Sequence, residues 1–196
     1  MIDCFALLDQ PRMPWLDLEE LKNIFHRKTL KEHPDSQANR TDAPAADSAF
    51  SDLNEAYQVL RDPKRRLQHL LTLEGHAPSS GDQTIPKQLH DLFPEIGALS
   101  QKTKTLLQET RTTSNALSRA LLKPRLLEVQ SETETVRKKI QELSENAQKG
   151  LQRINQSWTK NPTEEMGSLS NLYFVFAYLN RWSAQLDEIA FQLSTL

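Results

Sequence analysis

The stretch Glu32-His33-Pro34-Asp35-Ser36 decides how the first part of the chain is organised. A charged amphipathic run precedes it, and a second amphipathic run follows it. Pro34 lacks an N–H group and keeps the residue before it out of the α region, so it favours a turn between two helices. The sequence therefore predicts that His33 and Asp35 lie on an exposed connection, where side chains are available for binding.

The run before this stretch has the features of a capped helix. Asp17 is followed three residues later by Glu20, which is a capping-box pattern, and the helix is predicted to reach Lys31. Apolar residues recur at intervals of three and four and predict one buried face, made of Leu18, Leu21 and Phe25. The basic residues lie mostly on the remaining surface: Lys22, His26, Arg27, Lys28 and Lys31. In isolation they indicate a solvated helix face, but their position just before Glu32–Ser36 favours an electrostatic contact surface.

The second run is also helical and is followed by a third. Residues 36–48 are rich in Ala, Asp, Ser and Pro and predict a loop. A helical stripe resumes at Phe50 and continues through Leu53, Ala56, Tyr57 and Leu60. Asp62-Pro63 then predicts an N-cap with proline at the first helical position, and Gly75 predicts the end of that helix.

A change of composition to Pro, Ser, Gly and Asp predicts a linker over residues 76–85, between a domain of residues 1–75 and a domain of residues 86–196. In the second domain, breaks at Pro124 and at Asn161-Pro162 predict three long helices. The last of them carries a heptad-like seam, and the short connections between the helices predict antiparallel neighbours. The seam comprises Leu172, Val175, Leu179, Trp182, Leu186, Ile189 and Leu193.

The predicted fold class is therefore all-α. The aromatic segment 173–178 has the composition of a strand, but its flanks continue the helical seam, so we predict helix there. The predicted helix therefore carries aromatic side chains on nearly all of its faces. Two explanations stay open: both sides are buried, or some aromatics form a binding surface.

Composition excludes several classes of protein. The net charge of -2 provides no overall field for nucleic acid or an anionic membrane, so any electrostatic role must come from local patches. Cys4 is the only cysteine, which rules out an internal disulfide and predicts a reducing compartment. No apolar run approaches the length of a membrane span, and no signal peptide is recognisable. We expect a cytoplasmic protein.

No catalytic or metal-binding constellation is recognisable. His33 and Asp35 diverge across the proline between them, so they do not form a base and its orienting carboxylate. The other histidines have no carboxylate or cysteine at metal-ligand spacing, and there is no glycine-rich phosphate loop. We therefore predict that the protein is not an enzyme and has no cofactor.

The residues around His33-Pro34-Asp35 resemble the J-domain of DnaJ-type co-chaperones. The family's aromatic eight positions before the histidine is Phe25, and its downstream pattern is matched by Asn54, Ala56-Tyr57 and Leu60. This resemblance implies an antiparallel helix pair that docks on a DnaK-type chaperone and promotes ATP hydrolysis. The implied contact residues are His33, Pro34, Asp35, Lys22, His26, Arg27 and Lys31.

The chain is further similar to the HscB family of iron–sulfur co-chaperones, which joins a J-domain to a C-terminal three-helix bundle. The opening Asp3-x-Phe5-x-Leu7, the segment 70–75 after Arg66, and Ala184 to Glu188 carry this similarity. Glu32 and Ser36 depart from the usual aromatic and lysine at those positions. The resemblance implies an HscA-type chaperone and an iron–sulfur cluster scaffold protein as partners.

In that family the first bundle helix contacts the scaffold. The implied client-binding residues are Leu89, Leu92, Phe93, Ile96, Phe174 and Tyr178, although few acidic residues accompany them. Two alternatives stay open. The bundle serves a different client or self-association, or the chain is a purely structural adaptor with a degenerate J-domain, in which case Asp35→Asn leaves activity unchanged.

Overall fold

The computed structural model describes residues 2–32, 43–78, 85–113 and 115–195. This part of the chain contains helices and no strand, which confirms the all-α class. No helix within it is long and apolar enough to span a bilayer. The helices are α1 (Cys4–Leu7), α2 (Leu18–Glu32), α3 (Ala43–Arg61), α4 (Pro63–Leu73), a 3₁₀ turn (Lys87–Leu89), α5 (Leu92–Thr112), α6 (Ala116–Trp158) and α7 (Pro162–Ser194).

Aspartate caps begin two of these helices where the sequence predicts them. The Oδ1 atom of Asp17 accepts hydrogen bonds from the backbone N–H groups of Glu19 (2.9 Å) and Glu20 (3.1 Å). Asp62 accepts from the N–H group of Arg65 at 2.8 Å, and the proline after Asp62 is the first residue of α4. Each cap satisfies backbone donors that have no partner within the helix.

One predicted helix boundary and one predicted buried residue are wrong. Helix α3 begins at Ala43, inside the segment 36–48 that was predicted to be a loop. Pro44 is its second residue, and proline is tolerated in a first turn because the N–H groups there have no partner within the helix. Leu18 is 50% exposed because it is the first residue of α2, so Leu21, Ile24 and Phe25 carry the buried face.

The break predicted at Pro124 lies instead at Thr113. Thr113 has extended backbone angles (φ -91°, ψ 111°) and ends α5, whereas Pro124 lies inside the 43-residue helix α6. The polar run Thr-Thr-Ser-Asn at residues 112–115 favours local side-chain bonds over helix continuation, so it ends the helix first. The second predicted break, at Asn161-Pro162, is confirmed, since α7 begins at Pro162.

The chain divides into two compact units. The N-terminal unit comprises residues 1–83 and 148–173, and the bundle unit comprises residues 84–147 and 174–196. Of these ranges, only the residues that the structure describes are discussed below. The domain division at residues 76–85 stays a prediction.

The core of the N-terminal unit joins the short helices to the adjoining ends of α6 and α7. The indole Nε1–H group of Trp158 donates to the carbonyl oxygen of Arg12 at 2.8 Å. The backbone N–H group of Trp15 donates to Oδ1 of Asn155 at 3.1 Å. The fully buried apolar side chains of this unit are Phe5, Leu8, Leu21, Leu60, Leu67, Leu70, Leu71, Leu151 and Leu169.

The bundle unit packs α5, most of α6 and the second part of α7. Lys139 pairs with Glu95 at 2.7 Å and Lys102 pairs with Glu132 at 2.5 Å. As the residue number rises along α6 it falls along α5, so the two helices are antiparallel. The seven seam residues predicted on α7 are all buried, and segment 173–178 is helical, as predicted.

Candidate functional site

The outward face of α2 carries three of the predicted contact residues. Lys22, His26 and Arg27 are all exposed. Lys22 and His26 are one helical turn apart, and Arg27 lies about 100° further round the helix. Lys31 is in the last turn of α2, but its side chain is outside the described residues. The described part of this face is therefore cationic and accessible.

The other three contact residues, His33, Pro34 and Asp35, lie outside the described residues, which end at Glu32 and resume at Ala43. Their predicted position on a helix connection stays a prediction. The described ends of α2 and α3 lie on either side of them in the chain.

Lys28 is basic and on the same helix, but it has a structural role. Its Nζ atom donates to the carbonyl oxygen of Leu7 at 2.7 Å and pairs with Asp9 at 2.9 Å. The side chain therefore ties α2 to the end of α1. This explains why one of the five basic residues of α2 is turned away from the outward face.

An aromatic stack supports the exposed face from behind. The rings of Phe25 and Tyr57 are stacked, with centroids 4.4 Å apart and planes 14° apart. The guanidinium carbon of Arg61 lies 5.8 Å from the centre of the Tyr57 ring, within cation–π range. Both aromatic residues belong to the J-domain pattern, and their contact holds α2 against α3.

Leu30 was missed as a candidate contact residue. It is 73% exposed and lies one helical turn after His26, on the same face as the basic side chains. The helical spacing from His26 is a signal that could have identified it. An accessible apolar side chain between cations provides area for a partner as well as charge.

Arg66 has a structural role in the interior of the N-terminal unit. Its side chain is 1% exposed, and it donates from Nε to the carbonyl oxygen of Pro14 (2.9 Å) and from Nη1 to that of Leu60 (2.6 Å). Burial disfavours the charged guanidinium and lowers the pKa of Arg66 to about 10, although Asp62 opposes this shift. Arg66 therefore holds the loop before α2 against the end of α3.

Cys4 is a buried core residue, as predicted. Burial raises the pKa of its thiol, with the nearby carboxylate of Asp3 acting in the same direction, so the thiolate is disfavoured. Its backbone N–H group donates to Nε2 of His69 at 3.1 Å, and the His69 ring stacks on Phe5. This histidine serves as a hydrogen-bond acceptor in the core.

The structure divides the six predicted client-binding residues. Leu89, Leu92 and Ile96 are buried in the bundle unit, and their role as client contacts stays a prediction. They belong to the apolar stripe of this segment, which packs inward. Phe93 is 53% exposed and makes an edge contact with Trp182 (centroids 6.3 Å apart), whereas Phe174 and Tyr178 are half-buried.

Within the described residues, no group of three His, Cys, Asp or Glu side chains is placed to hold a metal ion.

Comparison with known proteins identifies the N-terminal segment first by class. Residues 4–69 match the DnaJ domain family. This segment includes the cationic face of α2, the stacked pair Phe25 and Tyr57, and the His33-Pro34-Asp35 stretch. The chain therefore carries a DnaJ domain, which confirms the resemblance seen in the sequence.

The more particular similarity is to HscB co-chaperones. The chain is 31% identical over 86 residues to the co-chaperone protein HscB of Proteus mirabilis, covering 43% of this chain and 50% of that protein. It is 32% identical over 104 residues to the mitochondrial J-type co-chaperone jac1 of Schizosaccharomyces pombe, covering 50% and 46%. The chain thus spans about half the length of these relatives.

The fold extends this similarity. The crystal structure of human co-chaperone protein HscB matches over 95% of this chain and 81% of that one, with a TM-score of 0.57 at 17% identity. At this identity the match concerns the fold alone. A J-domain followed by a bundle of HscB type is therefore the architecture of this protein.

Proposed function

We propose that this protein is a J-domain co-chaperone of HscB type that stimulates ATP hydrolysis by a DnaK- or HscA-type chaperone. The observation that supports this most directly is the accessible cationic face of α2, with Lys22, His26 and Arg27, on a segment that matches the DnaJ domain. This face leads along the chain into His33-Pro34-Asp35.

The mechanism separates steering from docking. Lys22, Arg27 and Lys31 attract an acidic chaperone surface and raise the association rate more than the final affinity. Asp35 accepts a charge-assisted hydrogen bond from a chaperone arginine. Pro34 restricts the backbone of the loop, which lowers the entropy lost on docking. The packing of Phe25 on Tyr57 keeps α2 in place during this encounter.

The test is single-turnover ATP hydrolysis by a DnaK-type chaperone of the same organism, with and without this protein. We expect stimulation by the wild type and its loss in His33→Gln without a change in helix content. The pair Lys22→Glu and Arg27→Glu should raise the half-maximal concentration, most strongly at low salt. The charge-matched control is Lys138→Glu with Lys149→Glu, because both lysines are exposed on α6. No stimulation by the wild type would overturn the proposal.

We further propose that the bundle unit presents a client, with an iron–sulfur cluster scaffold protein as the first candidate. Of the predicted contacts, Phe93 has the most accessible side chain, and it packs beside Trp182, which also contacts Tyr178 at 5.6 Å between centroids. An aromatic cluster of this kind suits a protein contact. The burial of Leu89, Leu92 and Ile96 favours, as the alternative, a different client or self-association.

Purified scaffold protein and calorimetry distinguish these two candidates. If the scaffold is the client, the wild type and His33→Gln bind it equally, because client capture does not involve the J-domain. Phe93→Ala should weaken binding, whereas Phe191→Ala should not, since Phe191 is a similarly exposed phenylalanine on α7. Absence of binding, with ATPase stimulation retained, would support the alternative client.

Cytoplasmic localisation of the protein is also part of the proposal.

A further inference from the structure

The first part of α6 has an apolar face turned to solvent. Leu117, Leu121 and Leu127 are 74%, 69% and 64% exposed. At about 100° per residue they lie within an arc of about 120°, and Pro124, which is also exposed, lies inside the same arc. We call these four residues the leucine ridge. It covers three turns of the helix.

The leucine ridge is not needed to pack the bundle. The inward face of α6 is formed by other residues, including Val129 and Val136, which are buried. Pro124 lies near the middle of the ridge, and at helical spacing the two valines lie about 120° or more round the helix from it. From the ridge to Val136, α6 is therefore apolar on two faces, of which the inner one is buried.

The ridge lies where the bundle has two helices instead of three. Arg137 of α6 pairs with Asp187 of α7 at 2.7 Å. Ser157 and Glu165 form a second contact between these helices, so they run antiparallel. Because α7 ends at Ser194, it ends about level with residue 130 of α6 at the common helical rise. The ridge lies beyond that level, on an accessible end of the α5–α6 pair.

This end of the pair is basic. Residues 109–127, which form it, contain four lysines and arginines and one acidic residue, Glu109, although the whole chain has a net charge of -2. At helical spacing, Lys123 and Arg125 border the leucine ridge on opposite sides, each about 40° from the nearest leucine. Arg125 pairs with Glu109, and Lys123 is exposed. The basic residues are Arg111, Arg119, Lys123 and Arg125.

We propose that the leucine ridge and its bordering cations bind the surface of an anionic lipid bilayer. Exposed leucines between lysine and arginine are the pattern of helices that lie in the bilayer interface, with apolar side chains in the acyl boundary and cations at the phosphates. Each lysine or arginine held near the bilayer surface is attracted to anionic headgroups. This inference does not depend on the proposed co-chaperone function.

Three arguments favour lipid over other partners. A nucleic acid would engage the cations but would leave the three leucines exposed, whereas a bilayer accepts both. A second copy of this chain would bring two basic surfaces together, which is unfavourable. The three leucines lie along one face of a single helix, so the ridge suits a soft, continuous surface.

Co-sedimentation of the full-length chain with vesicles tests the proposal. We expect binding to phosphatidylglycerol–phosphatidylcholine vesicles, no binding to pure phosphatidylcholine, and release by salt. Changing Leu117, Leu121 and Leu127 together to glutamine should lower the partition coefficient about tenfold or more. The pair Arg111→Glu and Lys123→Glu should have a similar effect. All five side chains are exposed, so the fold should survive.

Matched controls separate the ridge from general surface effects. Leu18→Gln changes another exposed leucine, and Lys138→Glu with Lys149→Glu changes two exposed lysines elsewhere on α6. Both control variants, the single and the double, should leave vesicle binding unchanged. Equal loss in the controls, binding to neutral vesicles, or no binding at all would overturn the proposal. So would tight binding to a short DNA duplex that the glutamine variant retains.

Discussion

The two units use buried polar side chains in opposite ways. In the N-terminal unit, Arg66 and His69 reach backbone groups that are 52 and 65 residues away in the chain. In the bundle unit, the buried hydroxyl groups of Thr103 and Thr133 donate to the carbonyl four residues earlier in their own helices, at 2.9 and 2.7 Å. One unit is held partly by long-range polar contacts, and the other by an apolar seam.

This difference has a physical consequence for specificity. Apolar contacts tolerate changes of register and partner, whereas a buried donor that loses its acceptor carries the full cost of desolvation. In the N-terminal unit, the loop before α2 must therefore take one arrangement for Arg66 to reach the carbonyl oxygen of Pro14. That loop leads directly into α2, which carries the proposed chaperone contacts.

The largest expected effect comes from removing Arg66. Arg66→Met leaves the buried carbonyl groups of Pro14 and Leu60 without this donor, so we expect the free energy of unfolding to fall by about 2–5 kcal/mol. Urea denaturation measures this. Thr103→Val is the matched change in the bundle unit. It should cost less than about 1 kcal/mol, because the carbonyl involved belongs to the same helix.

If both variants lost equal stability, the comparison between the units would fail. Arg66→Lys gives a further control, since it retains the charge but lacks the planar group that reaches two carbonyls at once. It should recover only part of the loss.

A smaller effect is expected where the N-terminal loop meets α6. Trp158→Phe retains most of the buried ring but removes the donor to the carbonyl oxygen of Arg12, so we expect a loss of about 1–2 kcal/mol. Asn155→Ala, which removes the acceptor for the N–H group of Trp15, should act in the same direction. Unchanged urea midpoints in both variants would show that this contact adds nothing to stability.

The sequence predicts what depends on local pattern. The α7 seam from Leu172 to Leu193 and the caps at Asp17 and Asp62 follow from helical spacing and from residues adjacent in the chain, and all of them are confirmed. Leu89, Leu92 and Ile96 are implied client contacts by the family resemblance, and the structure buries them in the bundle unit, which the resemblance alone did not indicate.

What the sequence does not predict depends on distant partners. Arg66 lies one turn before Leu70 on the buried face of α4, so its position was recognisable, but its carbonyl acceptors belong to the preceding loop and to α3. The continuation of α6 through Pro124, where the sequence predicted a break, also depends on residues distant in the chain. A lost backbone hydrogen bond is a local cost, and packing along the rest of a 43-residue helix offsets it.

The smallest expected effect is a pH dependence that comes from His69. Its Nε2 atom must stay unprotonated to accept the hydrogen bond from the N–H group of Cys4. Burial lowers the pKa of His69 below its ordinary value of 6.5, although the carboxylate of Asp3 partly opposes this. The unfolded chain therefore takes up a proton near pH 6.5, while the folded chain takes it up only at a lower pH.

Stability from this group is thus fully present above pH 6.5 and is lost as the pH falls towards the folded-state pKa. Urea denaturation of the wild type between pH 8 and pH 5 should show this decline, measured at several pH values. His69→Gln supplies an amide oxygen as acceptor but does not titrate, so its decline should be shallower. If the stability of the two proteins declined in parallel, the pH dependence would come from other groups. His69 would then contrast with Thr103 and Thr133 only in binding a group that is distant in the chain.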